Sequence, residues 1–129
     1  MNSPYSIKDF VRHTLGCTCP DKVFEQIEDR ETVSPLSPHN RSITIGGRLL
    51  LYIWKVTETD NLRENLLAML AAGRNERDER GLHRFRAILA VEEPLQQVAA
   101  EAKLLFMSYT ELDDRMHLHV ISADTFRKI

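Results

Sequence analysis

A chain of 129 residues with 43% hydrophobic and 28% charged side chains has the size and composition of one globular domain, and is too apolar for wholesale disorder. Such a chain buries about two thirds of its unfolded surface, so its core requires no disulfide, metal or other cofactor in order to fold. Seventeen basic against nineteen acidic residues give a formal charge of −2, which excludes a strong overall field for nucleic acid or anionic lipid.

The longest apolar run, Leu49 to Trp54, is far too short to span a bilayer. Asp9, Arg12 and His13 interrupt the N-terminal stretch, so no signal-peptide core is visible there. Two cysteines without a secretory signal point to a reducing compartment. The expected location is the cytoplasm, with no membrane and no nucleic-acid partner.

The first expected element is a helix opened by Ser6, with Asp9 three residues on as a capping acid. Ile7, Phe10 and Val11, with Leu15 at the margin, lie at helical spacing, and Gly16 closes the helix. A second helix follows at once, with Cys19 at the N-cap and Pro20 at its first position. Val23, Phe24 and Ile27 form its buried face, and Glu28-Asp29-Arg30-Glu31 reads as its solvated end. Residues 1–31 are thus expected to make a helical corner.

Pro35, Pro38 and Asn40 mark residues 32–41 as an extended connector. A hairpin comes next, from Ser42 to Ile45, through Gly46-Gly47, into Arg48 to Val56. Its second strand is apolar on both faces, as a central strand should be. Thr59 or Asp60 is placed to cap a third helix built on Leu62, Leu66, Met69 and Leu70, with Gly73 as its candidate stop. The charged run Arg74 to Gly81 reads either as a frayed continuation or as a mobile loop. Phe85 to Val91 is a strand, Glu92-Glu93-Pro94 opens a fourth helix, and Met116 to Ser122 is the last strand.

The expected order is ααββαβαβ in a single α+β domain over residues 1–129, with its sheet core at 42–122. The sheet is a mixed one of four strands, a hairpin plus right-handed parallel crossovers, packed with helices in two or three layers.

The most pointed chemistry lies at Cys17-Thr18-Cys19-Pro20. Free backbone N–H groups and the positive end of a helix dipole at the N-cap favour a thiolate at Cys19. Cys17 is then the resolving or co-ligating thiol, and His13, about one turn earlier, a proton partner. A Cys17–Cys19 disulfide demands a tight turn and closes almost no loop, so redox chemistry would explain it better than stability. Buried free cysteine also serves as a small apolar residue, and the same residues read equally as a packed helix–helix corner. Leu15-Gly16-Cys17-Thr18-Cys19-Pro20, followed by Val23-Phe24 and Ile27, resembles the opening of a group of short prokaryotic proteins with an LGCxCPxxVF signature and no assigned activity. The resemblance covers about the first 30 residues; it implies a small prokaryotic cytosolic protein and transfers no catalytic residue.

His117-Leu118-His119 places two imidazoles on one face of the last strand, with Met116, Leu118 and Val120 on the other. With Cys17 and Cys19 they would complete a four-ligand set suited to zinc, or to iron; alternatively they are the polar side of a half-buried strand. Arg74, Arg77, Arg80, His83, Arg84 and Arg86 concentrate positive charge fit for a phosphate or carboxylate, but Glu76, Asp78 and Glu79 interleave and favour a self-paired face. Tyr52 and Trp54 read as core or interface. No phosphate-loop or dinucleotide fingerprint is present, and Glu92-Glu93 fits a helix start better than catalysis.

Two functional readings follow. One is a small redox-active or metal-handling accessory protein working through the cysteine turn. The other is a non-enzymatic interaction module, a homodimer or a subunit of a complex, that uses a free sheet edge and keeps the cysteines structural. A third and weaker reading is a small-ligand enzyme with its pocket at the carboxyl ends of the parallel strands.

Overall fold

The computed structural model describes residue 7 and residues 10–14, 24–31, 38–56, 61–92, 95–109 and 113–124. After a single π-helical turn at Phe10–Thr14 come β1 (Ile27–Glu31), β2 (Arg41–Ile45), β3 (Leu49–Val56), α1 (Leu62–Glu79), β4 (Arg84–Val91), α2 (Leu95–Tyr109) and β5 (Met116–Ser122). The strands form one five-stranded sheet in the order β1-β2-β3-β4-β5. β1–β2 and β2–β3 pair antiparallel, and β3–β4 and β4–β5 pair parallel. The α+β class and the mixed sheet are as expected, with one strand more than the four anticipated.

The additional strand is β1. Glu28-Asp29-Arg30-Glu31 is not a helix end but part of an edge strand in register with β2, Ile27 opposite Ile45 and Glu31 opposite Arg41. Glu, Asp and Arg carry no strand-forming pattern of their own, and ladder hydrogen bonds to β2 outweigh the weak helical preference of this run. Charged side chains also protect an exposed edge from unwanted pairing. Arg41 Nε donates to Asp29 Oδ1 at 2.8 Å and ties the edge to its neighbour.

The hairpin between β2 and β3 turns where the two glycines stand. Gly46 and Gly47 have φ of 60° and 62°, a left-handed pair that glycine adopts without steric cost. Arg48 N donates to Ile45 O at 3.0 Å across the turn. β3 is buried along nearly its whole length and divides the interior into two layers. Leu50, Tyr52, Trp54 and Val56 face α1 and α2, whereas Leu49, Leu51 and Ile53 face a second layer that includes Phe10 and Val11.

α1 presents Leu62, Leu66, Met69 and Leu70 to the sheet. Each such side chain, fully buried, contributes about 1.5–3 kcal/mol of transfer free energy. The N-cap is Asn61, which makes no side-chain capping bond, while Thr59 and Asp60 lie outside the described residues. Gly73 does not stop the helix, which runs through the charged segment to Glu79. Gly81, with φ 66°, follows the helix end. α2 buries Val98 and Ala102 in the same layer as α1. Both crossovers step in one direction along the sheet, so right-handed connections put both helices on one face. The described strands 3-4-5 contain no reversal of order of the kind that opens a ligand crevice in doubly wound sheets.

Candidate functional site

Alternation along β4 sends Phe85, Ala87, Leu89 and Val91 to the helices, which leaves Arg84 and Arg86 on the opposite face. Along β5, Met116, Leu118 and Val120 pack toward the helices, so His117 and His119 share the face of the two arginines. The parallel register aligns Arg86 with His117 and Ile88 with His119. Each guanidinium therefore reaches diagonally. Arg84 Nη1 lies 2.9 Å from His117 Nε2, and Arg86 Nη1 lies 2.8 Å from His119 Nε2.

A guanidinium has donors and no acceptor, so in both contacts the imidazole Nε2 accepts. The ring proton then sits on Nδ1, and both histidines are neutral. Their surroundings enforce this state. Burial, then Arg86, then His117 bring His119 down to about 4. Burial, Arg86 and Arg84 lower His117 against a smaller opposing pull from Asp114 and Asp113. Arg86 is itself lowered, by burial and by Arg84. The site is thus two guanidinium–imidazole pairs in adjacent rows, bearing two positive charges at neutral pH.

The remaining arginines of the charged run are drawn into other structures. Arg77 is 2% exposed, and it donates to Asp113 Oδ1 and Oδ2 at 3.0 and 2.9 Å and to Asp78 at 3.0–3.1 Å. This clamp joins the end of α1 to the start of β5. Arg80 donates to Glu76 at 2.7 Å and to Thr44 at 3.1 Å. Arg77 and Arg80 thus pair with acids of their own run, Asp78 and Glu76, as the self-paired reading expects, while strand geometry sends Arg84 and Arg86 to the opposite side of the sheet.

On the helix side a second polar group forms around Tyr52, whose core placement is as expected. His39 stacks on its ring, centroids 3.7 Å apart, and Phe85 meets it edge-on at 5.0 Å. The Tyr52 hydroxyl donates to Glu76. Burial and the bond to Glu76 raise the phenol far above its ordinary value. Burial alone would raise Glu76, but Tyr52 and Arg80 hold its carboxyl below the usual range. Burial also lowers His39, against a smaller pull from Glu76.

Of the residues singled out from sequence, His117 and His119 do share one face, but each turns Nε2 to an arginine. Cys17 and Cys19 lie outside the described residues, as does the side chain of His13, whose backbone belongs to the π-helical turn. Among the described residues no group of three His, Cys, Asp or Glu side chains is placed to hold a metal ion. Arg84 and Arg86 were visible as charge but not as partners of the histidines. The matching two-residue spacing of Arg-x-Arg and His-x-His was the available signal. His39 gave none, because its stacking depends on how residues 38–40 approach β3.

No helix of the described residues is long and apolar enough to cross a membrane. Comparison with family models, with curated proteins and with solved structures finds no match to this chain.

Proposed function

We propose that this chain is a binding module that receives an anionic group on the β4–β5 face. The observation that carries the reading is the pair of guanidinium–imidazole contacts at 2.9 and 2.8 Å in adjacent rows. Both imidazoles spend their acceptor nitrogen on arginine, so this face offers N–H donors, those of the exposed Arg84 foremost. Carboxylate and phosphate oxygens complement such a set, and arginine favours them through paired N–H donors. The exposed Arg84 also repels the part-buried Arg86, so negative charge is favoured over positive on this face.

Titration with inorganic phosphate, followed by the imidazole NMR resonances, tests the proposal. His117 and His119 should shift together and saturate, and Arg84→Gln should weaken the effect while leaving the fold intact, since Arg84 is exposed. Imidazole resonances that stay unmoved at high phosphate would exclude the site.

The cysteine turn carries a separate proposal, a redox-active or metal-handling role for Cys17 and Cys19, supported by the sequence pattern alone. Cys19 should then be alkylated well below the pH at which a free thiol reacts, and the protein should purify with near-stoichiometric zinc or iron if His117 and His119 join the set. A slowly reacting Cys19 in a metal-free, folded protein would leave the thiols structural.

A further inference from the structure

We propose that α2 is the docking face for a second copy of this chain, in a twofold pair whose two α2 helices run parallel. The proposal is independent of the anion site, which lies on the opposite side of the sheet from α2.

Leu104 and Met107 are 72% and 59% exposed, the two most exposed large apolar side chains among the described residues. They are not scattered. Val98 and Ala102 turn to the core, and the exposed Ala100, Leu104 and Met107 recur at i, i+4 and i+7 on the outward side of the same helix. α2 therefore has two apolar sides, one packed on its own sheet and one in solvent. A continuous apolar stripe on the solvent side of a helix marks a surface that another surface buries.

The charges beside the stripe identify that second surface. At 3.6 residues per turn, Glu101 lies about 60° to one side of Leu104, and Lys103 about 100° to the other, just beyond Met107. Both are exposed. The stripe thus has one acidic and one basic border, about 3 Å apart along the axis. When two copies face each other about a twofold axis parallel to α2, each border meets the opposite border of the other copy. Glu101 of each copy then approaches Lys103 of the other, twice over by symmetry. A twofold axis perpendicular to α2 brings acid to acid and base to base. Of the two arrangements only the parallel one makes the face complementary to itself. The formal charge of −2 adds little general repulsion between copies.

Sedimentation velocity on the full chain, over a range of concentrations at low salt, tests this. The protein should pass from monomer to dimer as its concentration rises. Leu104→Glu should weaken pairing by at least about tenfold, with the circular dichroism of dilute protein unchanged. Glu101→Lys and Lys103→Glu should each weaken it about threefold to tenfold, and the double swap should restore it. Mixing the two single variants should also restore pairing, because each charge then meets its opposite. High salt should erase the differences among the charge variants.

A chain that stays monomeric at every concentration would overturn the proposal, and binding of that monomer to phosphatidylcholine vesicles would assign the stripe to lipid instead. A dimer indifferent to Leu104→Glu has its interface elsewhere and overturns the proposal equally. A dimer broken by Leu104→Glu but indifferent to both single charge reversals overturns the parallel arrangement.

Discussion

Gly73 and Phe85 meet with no room for a methyl group between them. A Cβ on Gly73 would lie 2.2 Å from Phe85 Cζ and 2.4 Å from both Cε atoms. Phe85 is fully buried and also packs edge-on with Tyr52, so moving its ring disturbs the core around it. In an open helix interior Gly→Ala gains about 1 kcal/mol. Here overpacking reverses the sign, and Gly73→Ala should destabilise the protein by about 1–3 kcal/mol in urea unfolding. The penalty should shrink when Phe85→Leu is made in the same chain.

The Arg77–Asp113 clamp should behave as a buried pair. Asp113→Ala leaves the nearly inaccessible guanidinium with Asp78 as its remaining acid, at an expected cost of about 3 kcal/mol. Replacing both partners, Arg77→Met with Asp113→Ala, should recover much of that loss. A double-mutant cycle in chemical denaturation measures the coupling.

Acidification should weaken the fold in two separate windows. His119, His117 and His39 all have lowered values in the native state. The unfolded chain therefore takes up protons that the native state refuses. Stability contributed by the neutral rings is complete above the ordinary value of 6.5 and is lost as pH falls toward about 4, the native value of His119. His119→Asn should flatten stability against pH across that range. Asp113 acts lower: the Arg77 hydrogen bond depresses its carboxyl below the ordinary 3.8, so its contribution is present above 3.8 and lost as pH falls through its native value. Asp113→Asn should alter only that acid limb.

Tyr52 and Glu76 form one unit between β3 and α1. Tyr52→Phe removes the hydroxyl while Arg80 still serves the carboxylate, so a cost of about 1 kcal/mol is expected. Glu76→Ala should cost more, because it leaves the buried Tyr52 hydroxyl and the Arg80 guanidinium without their shared acceptor. Phenolate absorbance from Tyr52 should appear in alkali only as the protein unfolds.

Ser42 stands opposite Tyr52 in the β2–β3 register. Its hydroxyl is buried and has no hydrogen-bond partner among the described residues. Ser42→Ala removes an unmet polar group and should leave stability unchanged or raise it by about 1 kcal/mol. A clear loss of stability on thermal melting would show that the hydroxyl is engaged.

Where consecutive residues carry a period, the chain announced its structure. The two-faced apolar run of β3, the Leu62–Leu66–Met69–Leu70 stripe and the alternation of β5 each name their element and its buried side, because that burial is a local consequence of spacing. β1 was not legible this way. A five-residue charged edge strand buries little and is held by hydrogen bonds to β2, whose residues lie ten or more positions away in the chain. Gly73 likewise looked like a helix stop, although its role is to let Phe85 approach.

The candidate site divides along the same line. That His117 and His119 share a face follows from strand period alone. That Arg84 and Arg86 meet them, while Arg77 and Arg80 are drawn off to Asp113 and Glu76, was decided by the parallel register of β4 with β5 and by the path of α1. Spacing along the chain dictates which side of an element a residue occupies. Which residues face each other across elements is settled only when loops close and cores pack, since those energies belong to pairs distant in sequence.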